Sequence, residues 1–136
     1  MKIDRNFIPC PVDTGDELFK NGIFVFNITK MIAHILNNPD DFRSEDVGVV
    51  DFAGGFSTIN EQHVDSVDVS KPVILAEMYP GRYILIDGNH RMEKASRTGI
   101  ASIRAYKLGI AEHVRFLTSK TAYTSYVEYV NSKAGK

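Results

Sequence analysis

Residues 72–95 read Pro72-Val73-Ile74-Leu75-Ala76-Glu77-Met78-Tyr79-Pro80-Gly81-Arg82-Tyr83-Ile84-Leu85-Ile86-Asp87-Gly88-Asn89-His90-Arg91-Met92-Glu93-Lys94-Ala95, and this stretch decides the fold. Two runs rich in strand formers, Pro72–Met78 and Tyr83–Ile86, flank Tyr79-Pro80-Gly81-Arg82, which predicts a β-hairpin around a Pro-Gly turn. The second run passes through Gly88 into a helical stretch. Gly99 then offers the left-handed residue that ends helices. Ser102 to Lys107 reads as a further strand, and helical stretches follow near 110–117 and 120–132. Ala122, Tyr126, Tyr129 and Val130 give the last of these an inner face.

Upstream of the hairpin, Ile23–Phe26 is a short apolar run that predicts a buried strand. Asn27 can cap a helix whose apolar positions Ile28, Met31, Ile32, Ile35 and Leu36 keep helical spacing. Asn37-Asn38-Pro39 ends it, because the residue before proline is pushed out of the helical region. Val47–Phe52 predicts another strand, closed by Gly54-Gly55. Asn60 predicts the cap of a short helix with Val64 and Val67 inward. Residues 1–22 are expected to be irregular or a short extended entry. The expectation is one α+β domain over 1–136, a small mixed sheet with flanking helices, its core at about 23–118 and a last helix at about 120–132.

Composition narrows the class. The 136 residues carry 16 basic and 17 acidic side chains, a net charge of −1. That length suits one domain with a real core. A single cysteine, Cys10, excludes a disulfide framework and a Cys-rich zinc site, and the four histidines lack close ligand spacing. Met1-Lys2-Ile3-Asp4-Arg5 has no basic-then-apolar signal pattern, and no apolar run has the length of a membrane span. The expected location is the cytoplasm, with no membrane partner. The near-zero total hides a split. Residues 1–83 carry seven Lys/Arg against thirteen Asp/Glu, and residues 84–136 carry nine against four. Anion-binding capacity is expected in the later part, while the total argues against coating nucleic acid by bulk charge.

The site-like feature is the strand–glycine–helix junction. Unpaired N–H groups at the helix start and the positive end of its dipole favour an anion, above all phosphate. Gly88 lets a ligand approach the backbone, Arg91 brings a planar fork of donors, and His90 adds a donor that depends on protonation. Asp87 and Glu93 are candidate bases or magnesium ligands. The same residues also have a purely structural reading, with Asp87 capping the helix and Arg91 paired to Glu93 or another acid. The junction lacks the Gly-Lys-Ser/Thr of a Walker loop and the three glycines of a dinucleotide fingerprint.

Gly88-Asn89-His90-Arg91 at a helix start, between a hairpin and a strand, resembles the G-x-[HR]-R box of the ParB/sulfiredoxin superfamily. The similarity spans Ile59 to about Thr118 and implies a ParB/sulfiredoxin-like fold. It further implies that Gly88, Asn89, His90 and Arg91 cradle the phosphates of ATP, ADP or CTP, with Mg2+. Members include CTP-hydrolysing partition proteins, sulfiredoxins and a free-serine kinase. Asn89 stands where sulfiredoxins carry their catalytic cysteine, so sulfiredoxin chemistry is not expected. Within these residues the helix-turn-helix domain of partition proteins has no counterpart. The Asp-Gly-x-His-Arg form resembles the serine-kinase-like branch, which uses an upstream glutamate as base; Glu61 and Glu77 are the candidates. The implied activity is phosphate transfer or nucleotide hydrolysis. The alternatives are a DNA-associated module or nuclease, which the charge disfavours, and a non-catalytic partner subunit.

Cys10 is expected to be a packed residue. Gly54-Gly55-Phe56-Ser57 is an ordinary turn or a second close-approach loop. Tyr123, Tyr126 and Tyr129 are expected to pack, within the chain or against a second copy in a homodimer, with base stacking as the other reading.

Overall fold

The computed structural model describes residues 1–53 and 59–134. The chain begins with an extended N-terminal segment and then forms β1 (Leu18–Asn21) and β2 (Phe24–Asn27), an antiparallel hairpin turned by Gly22 at φ +62°. The first of these strands lies where the sequence suggests an irregular entry. Leu18-Phe19-Lys20-Asn21 is too short for a clear alternation, and its pairing with β2 supplies the order. Asn27 ends β2 and caps α1 (Ile28–Asn37), accepting from the Lys30 N–H at 3.0 Å. Its amide also donates to the Pro11 carbonyl at 3.0 Å and to Asp16 Oδ2 at 2.8 Å, so this fully buried side chain is completely used. Ile28, Met31 and Ile35 turn inward, whereas Leu36 is exposed.

The strand expected over 47–52 is displaced. β3 runs over Glu45–Gly48, and Val49–Asp51 form a single 3-10 turn. The Val49 N–H reaches the Ala101 carbonyl at 3.0 Å, and the Val49 carbonyl accepts from Phe52 and Ala53, which bends the chain off the sheet. The closing Gly54-Gly55 and the Gly54-Gly55-Phe56-Ser57 loop lie outside the described residues. α2 (Glu61–Ser66) is capped by Asn60, whose side chain accepts from the Gln62 and His63 N–H groups. Val64 is its buried residue; Val67 lies just past its end.

The hairpin of the quoted stretch is formed by β4 (Val73–Tyr79) and β5 (Arg82–Asp87), with Gly81 in the turn at φ +86°. α3 (Asn89–Arg97) follows and ends before Gly99, then β6 (Ser102–Leu108) returns. α4 (Ile110–His113), a 3-10 turn and α5 (Lys120–Ala134) complete the chain.

The strand order is β3-β6-β4-β5, with β6 parallel to β4 and antiparallel to β3. A mixed sheet of this kind, covered on both faces, makes the molecule α+β. One face, carrying Ile74, Ala76, Met78 and Ile86, packs on Phe26, Met31, Ile35 and Val127 from β2, α1 and α5. The other, carrying Val73, Leu75, Ile103 and Ala105, packs on Met92 and Ala95 of α3. His113 is buried without residual exposure, with Nε2 donating to the Glu77 carbonyl. The Tyr126 hydroxyl donates to the Met78 carbonyl at 2.7 Å.

Candidate functional site

β5 leaves the sheet at Asp87, and the next residue must reverse the chain into α3. Gly88 does so at φ +97°, ψ +26°, in the left-handed region. A Cβ there would lie 2.5 Å from Val73 Cγ1 and 2.9 Å from Arg91 Nη2, so conformation and space both demand glycine. The first intrahelical bond is Met92 N–H to the Gly88 carbonyl at 2.9 Å. The N–H groups of Asn89, His90 and Arg91 therefore precede the helical ladder and point out of the helix start.

These residues line an open cavity of about 340 Å3, together with Glu17, Leu18 and Phe19 from β1 and its approach, and with His63 and Val67. The donors there are numerous and underused. Asn89 Nδ2 and Arg91 Nε are buried atoms without a hydrogen-bond partner among the described residues. Arg91 Nη2 holds Asp87 Oδ2 at 3.0 Å, with both side chains largely buried. Asp87 thus braces Arg91 rather than capping the helix. The Asn60 N–H donates to His90 Nε2 at 3.0 Å, so the proton of the neutral ring resides on Nδ1. Desolvation, and next the neighbouring His63 ring 4.6 Å away, push the His90 pKa down. His90 therefore offers a neutral donor rather than a positive charge near pH 7.

The acid that faces this cradle is Glu17. Partial desolvation pushes its carboxyl up, the Asp87 charge adds to that, and Arg91 opposes it. Sequence reasoning missed Glu17 because it lies seventy residues before Asp87 in the stretch read as irregular. The signal that could have found it is its place one residue ahead of a strand that returns to a capped helix. Glu93 points elsewhere: its carboxylate accepts from Arg97 Nε at 2.7 Å. Arg97 also pairs with Glu61 at 2.6 Å, which takes Glu61 out of the cavity. Glu77 accepts from the Gly81 N–H at 3.0 Å, at the opposite end of β5. The structure brings together Asp87, Gly88, Asn89, His90 and Arg91, and leaves Glu93, Glu61 and Glu77 outside.

The chemistry of the donor set fits an anion, and the Asp87 carboxylate fits a magnesium ion carried in by phosphates. Magnesium commonly uses one or two protein carboxylates and takes its other ligands from phosphate and water. Among the described residues no group of three or more His, Cys, Asp or Glu side chains could hold a metal alone. Cys10 is buried in the core, and burial pushes its thiol up, as suits a packed residue. Tyr123 stacks on Phe7 at 3.9 Å and Tyr126 is fully buried, so both pack inside their own chain. No helix among the described residues is long and apolar enough to cross a membrane. Neither the protein-family models nor the curated proteins contain a match to this chain.

Proposed function

We propose that this chain binds the phosphates of a nucleotide (ATP, ADP or CTP, with Mg2+) at the start of α3 and transfers or hydrolyses a phosphate there. The observation that carries the reading is the pair of buried donors, Asn89 Nδ2 and Arg91 Nε, that have no partner among the described residues and lie beside a helix start. Buried donors without partners cost about 1–3 kcal/mol each, and an anion in the cavity removes that cost. The resemblance of Gly88-Asn89-His90-Arg91 to the ParB/sulfiredoxin box supports the same ligand.

The three free N–H groups and Asn89 hold the phosphates, and Arg91 neutralises charge that grows on them. Asp87 keeps the guanidinium in place from the strand side. His90, fixed by Asn60, donates from Nδ1. Asp87, with phosphate and water as further ligands, would hold a magnesium ion, which would supply positive charge against the phosphates. Glu17 takes the proton from an incoming hydroxyl or water, a task suited to a carboxyl raised toward the working pH.

Thermal-shift measurements with ATP, ADP and CTP, with and without Mg2+, test this. A nucleotide at about 100 times its Kd stabilises by about 2.7 kcal/mol, several degrees for a domain of this size. Arg91→Ala is expected to abolish the shift. Glu17→Gln is expected to keep it and lose turnover. No shift with any nucleotide overturns the proposal, and a shift without turnover in the unaltered chain leaves a binding-only partner subunit. Salt-sensitive retention on DNA would favour the nucleic-acid alternative instead.

A further inference from the structure

Another cavity among the described residues, of about 280 Å3, lies at the other end of β5 and is lined by Asn21, Phe24, Met78, Tyr79, Arg82, Ile84 and Tyr129. Five residue steps along the strand, roughly 17 Å, separate Arg82 from Asp87, so one small ligand cannot fill both cavities. The Tyr79 and Tyr129 rings stand 6.2 Å apart at 51°, and Phe24 is 6.0 Å from Tyr129, forming an aromatic wedge over the buried Met78. Lys133 Nζ hangs 5.5 Å from the Tyr79 ring and 5.7 Å from the Tyr129 ring. Arg82 is exposed on the lining. Tyr126 and Tyr123 are consumed by the core, which leaves Tyr129 as the tyrosine of α5 with a ring in a cavity.

We infer that this cavity is a second ligand site, and that it takes a nucleobase together with its 5′-phosphate. Flat rings stack on tyrosine faces whatever the base. The amide of Asn21 matches the mixed donors and acceptors of a base edge, which a phenyl ring lacks. Arg82 of the lining supplies a positive charge for a phosphate, and Lys133, over the Tyr79 and Tyr129 rings rather than on the lining, adds to the positive potential there. The volume suits a ring and one charged group. A free mononucleotide and one residue of a single strand present the same chemistry here.

The test is NMR titration with AMP and UMP, following the Tyr79 and Tyr129 ring resonances, beside fluorescence anisotropy with a labelled twelve-residue oligodeoxythymidine. Ring shifts of both tyrosines are expected with the mononucleotides. Tyr129→Leu, which keeps the packing on Phe24, and Arg82→Gln are each expected to weaken binding about tenfold, and Arg91→Ala to leave it unchanged. Oligonucleotide affinity no better than that of the mononucleotide assigns the site to free nucleotides; much tighter, salt-dependent binding assigns it to single strands. Shifts confined to residues 88–91, or affinities unmoved by both variants, overturn the inference. So does a tyrosine response to an acidic aromatic peptide and to no nucleotide.

Discussion

Gly88 shows how a single residue fixes both shape and chemistry. Its left-handed backbone turns β5 into α3, and its missing side chain leaves room for Val73 and Arg91. Gly88→Ala combines left-handed strain with overpacking, and is expected to cost about 2–4 kcal/mol in urea denaturation. His113 gives a pH signature. Desolvation holds its pKa below the ordinary 6.5, against the opposing bond to Glu77. The unfolded chain takes up the proton first, so this stability is fully present above pH 6.5 and is lost as pH falls below it. Denaturation midpoints are expected to drop between pH 6.5 and 5, and to drop less in His113→Gln. The sequence offered His113 as one of four scattered histidines. Its buried place depends on β4 and α5 meeting around it, which no local pattern states.

At the scale of elements, the caps and turns were the legible part. In their capping and turning roles Asn27, Asn60, Pro80-Gly81 and Gly99 each engage neighbours within four residues, so spacing alone reveals them. β1 and the displaced β3 were not legible, because short strands draw their order from partners distant in sequence. The donor half of the cavity was readable for the same local reason, whereas Glu17 arrives through tertiary packing. α2 is strapped to α3 by Arg97–Glu61 and by Lys94, whose ammonium donates to the Asp65 and Val67 carbonyls at 3.0 Å. The Glu61 and Arg97 side chains are well exposed, so water screens the pair and it holds little of the fold. Glu93→Ala and Arg97→Ala are therefore expected to leave nucleotide shifts in place and to change the melting temperature by only a few degrees.

Over the whole molecule, the charge split of the sequence becomes contact. Arg97–Glu61, Arg104–Asp46 and Lys107–Glu45 each join the basic later part to the acidic earlier part. These pairs are exposed, and ionic strength screens them. Raising salt from 0.05 to 0.5 M is expected to shift the melting temperature of the ligand-free protein by no more than a few degrees. Under the proposed function, nucleotide affinity would be set by charge on phosphate and is expected to fall clearly over the same range. The two trends measured side by side separate charge that holds the fold from charge available to a ligand.

The buried amide of Asn27 carries a consequence for motion. It fastens Pro11 and Asp16 to the start of α1, and Glu17 follows directly. The four-stranded sheet and α3 also share a packed face that the knot does not touch. Residues 11–17 can thus open as a local unit while the sheet keeps its protected amides. Each opening would withdraw the glutamate and leave the proposed anion cradle standing. Hydrogen exchange in Asn27→Ala should show the N-terminal segment exchanging faster with β4 and β6 unchanged; under the proposed function such a protein would still hold nucleotide and lack its base.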